Sequence, residues 1–148
     1  MNIDKAYNFK VVSELVSCSG TLKGVNLLNL SEAGYKVVIN LLPDDNEYAV
    51  KDEKKTIESQ GLRYEYIPVD WDNPKESDFE SFEAVLESCK EQKVHIHCAA
   101  NYRVTAFYSI YAVKHLGWSK SQSEDFMNSI WDRKEYPHWE TFLSNYII

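Results

Sequence analysis

The sequence predicts an α/β fold of three layers, with a mainly parallel central sheet of four to five strands flanked by helices. Two observations carry this. Strand-like and helix-like segments alternate along the 148 residues, the pattern of βαβ units in a sheet covered on both faces. The stretch Lys36-Val37-Val38-Ile39-Asn40-Leu41-Leu42 is apolar with little alternation, as a strand buried on both faces must be. The length suits one domain over residues 1–148, since domains commonly run ~100–200 residues.

Each element follows from its own residues. Val11 to Cys18 reads as a short strand or extended lead-in. Thr21 to Ala33 reads as a helix, with Thr21 as N-cap and Gly34 as the stop. Pro43-Asp44-Asp45 ends the apolar strand, and Tyr48 to Gln60 reads as a helix closed by Gly61. Leu62 to Val69 alternates with period 2, as a strand does, and Asp70-Trp71-Asp72-Asn73-Pro74 is a loop. Ser77 to Lys90 is helical, with Phe79, Phe82, Val85, Leu86 and Cys89 on one face. Val94 to His97 is a short strand. Arg103 to Leu116 is apolar nearly all round, which marks a central, buried helix ended by Gly117. Two further helices, Ser123 to Trp131 and His138 to Ile147, complete the chain.

Composition excludes several classes of function. Apolar residues make up 44% and charged residues 26%, an ordinary globular balance. No apolar run reaches the length of a membrane span. The N-terminus lacks the basic flank and apolar core of a secretion signal, so a cytoplasmic protein is expected. The net charge is −7 without a large Lys/Arg cluster, which argues against a nucleic-acid surface. Cys18, Cys89 and Cys98 make an odd count with no zinc-type spacing, so free thiols and no metal are expected.

The chemistry concentrates in His95-Ile96-His97-Cys98-Ala99-Ala100-Asn101-Tyr102-Arg103. This segment runs from a strand, through a four-residue loop, into a helix. The first amides of a helix have no intrahelical partner, and its N-terminus carries partial positive charge. The backbone amides of Ala99, Ala100, Asn101, Tyr102 and Arg103 can therefore converge on one anion. Arg103 adds a planar guanidinium that grips two oxygens at once. The same groups would stabilise a thiolate at Cys98 and depress its pKa. Such a thiolate faces an electrophilic phosphorus or sulfur atom as a nucleophile. The plainer account is a buried, inert cysteine beside a surface arginine.

His97 to Arg103 resembles the His-Cys-loop-Arg motif of the tyrosine and dual-specificity phosphatase-like superfamily. The similarity is strongest to a bacterial branch, domain of unknown function 442 (DUF442), also found beside beta-lactamase-like hydrolases. Ser19-Gly20-Thr21-Leu22 resembles the family's entry turn, and Ala33 to Leu41 resembles one of its strands. Tyr66-Ile67-Pro68-Val69-Asp70-Trp71 is similar to a further segment. The resemblance implies that Cys98 takes the phosphoryl group and Arg103 binds the phosphate and stabilises the transition state. It implies that Asp70 protonates the leaving oxygen and then activates water, while His97 orients the Cys98 backbone. It further implies no metal or organic cofactor, and a phosphorylated protein or small phosphate ester as substrate.

Three departures stand out. Four residues, not five, separate Cys98 from Arg103. The loop has no glycine, so Asn101, which best tolerates the left-handed region, is where backbone strain is expected. Val104 stands where a Ser or Thr usually steadies the thiolate, with Thr105 one position late. The short loop also fits a rhodanese-type sulfurtransferase carrying a persulfide on Cys98, or an anion-binding protein without turnover.

Asp72 is the alternative acid to Asp70, whereas Asp78 fits the first turn of a helix. Trp71 either lines the pocket mouth or covers the core edge, and Tyr102 either shapes the entrance or packs on the central helix. His95 reads as a satisfied sheet histidine, Cys89 as core, and Cys18 as packing or as a resolving partner for an oxidised Cys98.

Overall fold

A computed structural model of the protein describes residues 3–148. Five strands form one sheet in the order β1-β2-β5-β3-β4. They are β1 (Lys10–Val11), β2 (Val16–Ser19), β3 (Val37–Asn40), β4 (Arg63–Tyr66) and β5 (Val94–His97). Only the β1–β2 pair is antiparallel; β5 lies at the centre between parallel β2 and β3. The helices are α1 (Val25–Leu28), α2 (Glu53–Glu58), α3 (Glu76–Ser88), α4 (Tyr102–His115), α5 (Lys120–Asn128) and α6 (Pro137–Ser144).

The sheet separates two cores. Successive side chains of a strand point to opposite faces, so Val37 and Ile39 of β3 join one core while Val38 joins the other. Val94 and Ile96 of β5 join the first core, with Cys18, Cys98 and apolar residues from α3 to α6. The second core is smaller and gathers Leu22, Leu27, Leu30, Tyr35, Ile57 and Leu62. Phe79, Phe82 and Leu86 are the buried face of α3, and α4 is buried from Arg103 to Ala112.

Several segments are shorter than the sequence suggests. The expected strand over 11–18 is two strands, and β4 covers only the middle of 62–69. The expected helix from Thr21 to Ala33 is reduced to the single turn of α1. Gly24 sits at φ 60°, ψ −133°, which no right-handed helix contains. Thr21 is not an N-cap: its amide donates to the carbonyl of Ala99, 3.0 Å away. Likewise α2 occupies only part of 48–60, because Asp52 is left-handed at φ 60° and the helix starts after it. α5 starts earlier than expected, at Lys120, where Ser119 and Gln122 cap each other reciprocally. α6 ends at Ser144, short of Ile147.

His95 is satisfied as expected. The Ser19 hydroxyl donates to the carbonyl of Gly20 at 2.8 Å, so it accepts from His95 Nε2, also at 2.8 Å. The neutral ring then accepts at Nδ1 from Ser17 Oγ, 2.7 Å away, which in turn lies 2.6 Å from the Tyr35 hydroxyl. Burial, reinforced by the nearby His97, holds the His95 pKa well below the ordinary histidine value.

Candidate active site

The loop leaves the centre of the sheet at the carboxyl end of β5, where open α/β sheets place their ligand sites. Its hydrogen bonds divide sharply by type. The carbonyl of Cys98 accepts from His97 Nδ1 at 3.2 Å. That of Ala99 accepts from the Thr21 amide at 3.0 Å, and that of Ala100 from Asn8 Nδ2 at 3.0 Å. The carbonyl of Asn101 accepts from the Thr105 amide, and that of Tyr102 from the Thr105 hydroxyl, both at 3.1 Å. The amides of Ala99, Ala100, Asn101, Tyr102 and Arg103, by contrast, donate to no protein acceptor among the described residues. Every backbone carbonyl from Cys98 to Tyr102 is engaged while the backbone amides from Ala99 to Arg103 remain free.

Asn101 makes this possible. It adopts φ 71°, ψ 9° at the N-cap of α4, the left-handed conformation expected of it. Its Nδ2 donates to the carbonyl of Asn8 at 2.9 Å and lies 3.4 Å from Cys18 Sγ. Asn8 and Asn101 thus clamp the N-terminal segment to the loop in both directions. Gly20 is the other fitted contact, because a Cβ there would lie 2.3 Å from the Ala99 carbonyl oxygen. Neither Asn8 nor its backbone clamp was legible in the sequence.

Arg103 is buried at the start of α4, and its Nε donates to the carbonyl of Val69 at 2.9 Å. This leaves both terminal nitrogens for an anion. The guanidinium lies 5.3 Å from the centre of the Trp71 ring, within cation–π range. Trp71 therefore belongs to the site. Tyr102 stacks on Trp131 with ring centres 4.9 Å apart and also meets Trp71 at 6.0 Å. The carbonyl of Trp71 accepts from Trp139 Nε1 at 2.9 Å and pairs with His138 Nε2 at 2.8 Å. The loop after β4 is thereby fastened to α4 on one side and α6 on the other.

Cys98 lies at the foot of the loop with 0% exposure, lower than an approachable nucleophile suggests. Its amide donates to the Ser19 carbonyl at 3.3 Å. Thr105 does not stand in for the missing Ser or Thr. Its hydroxyl donates to the Tyr102 carbonyl and accepts from Trp131 Nε1 at 2.9 Å. Asp70 is exposed and turns one carboxylate oxygen to the Asp72 amide, 2.9 Å away, in an Asx turn. Asp78 accepts from the Lys75 amide at 3.1 Å, as a first-turn helix residue does. Cys18 is fully buried beside Asn101, and burial pushes its thiol up to about 12. A thiol held protonated in this way is a poor partner for thiol exchange.

Beneath the loop is a buried carboxylate that composition and periodicity did not reveal. Glu53, in the first turn of α2, lies 2.7 Å from His97 Nε2 and accepts from the Tyr64 hydroxyl at 3.0 Å. His97 thus bridges the Cys98 carbonyl and the Glu53 carboxylate. Asn40 extends the network by donating to the Tyr64 oxygen at 2.9 Å and accepting from the Leu42 amide. Burial, followed by the Glu53 charge, raises the Tyr64 pKa far above the ordinary tyrosine range. Among the described residues no group of three or more His, Cys, Asp or Glu side chains could hold a metal ion. No described helix is long and apolar enough to cross a membrane.

No family model matches the chain. Two crystal structures of DUF442 phosphatase-like proteins from Shewanella putrefaciens CN-32 superpose on it closely. One is 35% identical with TM-score 0.84, covering 95% of this chain and 88% of its own. The other is 34% identical with TM-score 0.85, covering 99% and 98%. The chain belongs to the DUF442 family. Its phosphatase-like fold extends to Pseudomonas aeruginosa TpbA, crystallised in complex with pTyr, at 18% identity and TM-score 0.74 over 92% of this chain and 82% of that one. Beta-lactamase hydrolase-like proteins from two strains of Xylella fastidiosa are 27% identical over 102 residues, 67% of this chain. The DUF442 chain spans 23% of the length of those curated relatives.

Proposed function

We propose that this DUF442 protein is a cysteine-dependent phosphatase that hydrolyses phosphate monoesters through a phosphocysteine intermediate. The observation that carries the reading is the division within the loop: all carbonyls from Cys98 to Tyr102 are engaged, and the amides from Ala99 to Arg103 are free. Such a cradle suits the equatorial oxygens of a phosphoryl group, whose charge grows in the transition state. Arg103, aimed by its bond to Val69, completes it as a fork.

The Cys98 thiolate attacks phosphorus in line, forming the S–P bond as the P–O bond to the alcohol breaks. Asp70, next to the carbonyl that aims Arg103, gives its proton to the leaving oxygen. The resulting carboxylate takes a proton from water, the water oxygen bonds to phosphorus, and the S–P electron pair returns to Cys98. His97 and Glu53 act as positioning residues that hold the Cys98 carbonyl away from the substrate. Since the Thr105 hydroxyl is engaged elsewhere, it does not ease departure of the thiolate. Full burial of the sulfur favours a substrate whose phosphorus descends to the floor of the site.

Hydrolysis of p-nitrophenyl phosphate tests the reading. Cys98→Ser abolishes turnover while the fold is retained. Asp70→Asn slows phenyl phosphate more than p-nitrophenyl phosphate, because the better leaving group needs less protonation. Turnover that survives Cys98→Ser excludes the mechanism. Equal losses for both esters with Asp70→Asn move the acid role elsewhere, with Asp72 the next candidate.

A further inference from the structure

Next to the phosphate loop is a cavity of about 580 Å³ whose wall includes Ala99 and Ala100. Its other lining comes from the N-terminal segment, the entry turn and the connection after β3, and includes Lys5, Lys23, Tyr7 and Tyr48. We propose that this cavity binds a second anionic group of the substrate, so that the preferred ester is a small molecule carrying two phosphates.

Three observations point this way, given the phosphatase reading on which the inference rests. First, the charge is local and one-sided. No carboxylate lines the cavity, although acidic residues outnumber basic ones by 23 to 16 in the chain. The larger cavity of about 650 Å³ between α2 and β4 is lined by Asp44, Asp52 and Glu53 as well as lysines, and does not suit an anion. Second, the placement is adjacent. Ala99 and Ala100, whose amides donate to no protein acceptor among the described residues, also line this cavity. Third, the size and walls suit a small molecule. The volume falls within the ~300–1,000 Å³ of small-ligand sites. Tyr7 and Tyr48, 62% and 61% exposed, present apolar ring faces with polar tips at the cavity. The chain's net charge of −7 disfavours a long acidic peptide, which would extend beyond the two lysines.

Calorimetric titration of the native protein with the non-hydrolysable phosphonate analogues of hexyl phosphate and of 1,6-hexanediol bisphosphate, named below by their parent esters, separates the second phosphate from the first. The bisphosphate binds about tenfold more tightly, the scale of two partly solvated charge-assisted contacts. The double variant Lys5→Met/Lys23→Met binds both compounds with the affinity the native protein has for hexyl phosphate. Both lysines are exposed, so the variant retains the fold, which circular dichroism verifies. Equal affinity of the native protein for the two compounds overturns the inference, as does a preference that persists in the double variant. Tighter binding of an acidic phosphotyrosine peptide than of the bisphosphate overturns the small-molecule assignment. Absence of the preference in the native protein, with Cys98-dependent p-nitrophenyl phosphate turnover intact, removes the cavity and leaves the phosphatase reading standing. A lysine-dependent preference without any Cys98-dependent turnover does the reverse.

Discussion

Replacing Glu53 by alanine tests whether the loop depends on the buried network beneath it. The carboxylate accepts from His97 Nε2 at 2.7 Å and from the Tyr64 hydroxyl at 3.0 Å, and it is itself buried. Truncation leaves the buried His97 nitrogen without its partner, although the cavity that Glu53 lines admits water toward it. Removing one member of a buried pair costs about 3–5 kcal/mol. Tyr64 is half-buried, so water compensates its loss and the lower part of that range applies. At ~2–4 °C per kcal/mol for a chain of this size, Tm falls by roughly 10 °C. Glu53→Gln is the informative companion. Its carbonyl oxygen still accepts from Tyr64 and its amide donates to an unprotonated Nε2, so the loss is about 1 kcal/mol. Differential scanning calorimetry with a urea titration gives both numbers. Turnover falls with alanine more than with glutamine, because the Cys98 carbonyl is held by His97. An alanine variant within about 1 kcal/mol of the parent, with unchanged turnover, refutes the reasoning.

Three further outcomes are expected. Gly20→Ala forces a Cβ to within 2.3 Å of the Ala99 oxygen; it costs about 1–3 kcal/mol and weakens phosphate binding, and parent-like behaviour in both measurements contradicts the fitted contact. Arg103→Lys keeps the charge but loses the fork and the bond to Val69; kcat/KM for p-nitrophenyl phosphate drops about 10–100-fold, and a drop below threefold speaks against bidentate binding. His95 has a folded pKa below its unfolded value, so below pH ~6.5 the unfolded chain binds the extra proton. Its contribution to stability is complete above that pH and is lost as pH falls, by up to ~1.4 kcal/mol per unit until the folded pKa is passed. Urea midpoints between pH 7 and 5 record the slope, and His95→Gln removes this component; an identical slope in the variant rules His95 out as its source.

The parts that were legible in the sequence are those governed by local rules. Val37 to Asn40 gave a doubly buried strand because residues of both parities are apolar apart from its last position. Gly117 follows the C-cap of α4 with positive φ, as its position suggested, whereas Gly34 and Gly61, also at positive φ, lie beyond the earlier ends of α1 and α2. Asn101 was identifiable as the left-handed residue of a glycine-free loop because its short amide tolerates that region. What escaped depends on contacts between distant residues. Asn8 reaches the loop across 92 positions. Glu53 sits in a segment of Lys, Asp and Glu that reads as a solvated face, yet a buried histidine 44 residues away draws it inward. The stretch from Thr21 to Ala33 has helical periodicity, but docking of the Thr21 amide on Ala99 and the backbone of Gly24 limit it to one turn. Likewise Thr105 stands near the thiol in sequence, and only the approach of Trp131 shows where its hydroxyl is used.

The fastening of Trp71 links α6 to Arg103 through two hydrogen-bonded carbonyls. Tension on the last helix passes through Trp139 and His138 to the Trp71 carbonyl, then along a short length of main chain to the oxygen that aims Arg103. Under the proposed function, a displacement of α6 shifts the aim of Arg103 rather than the entrance to the site.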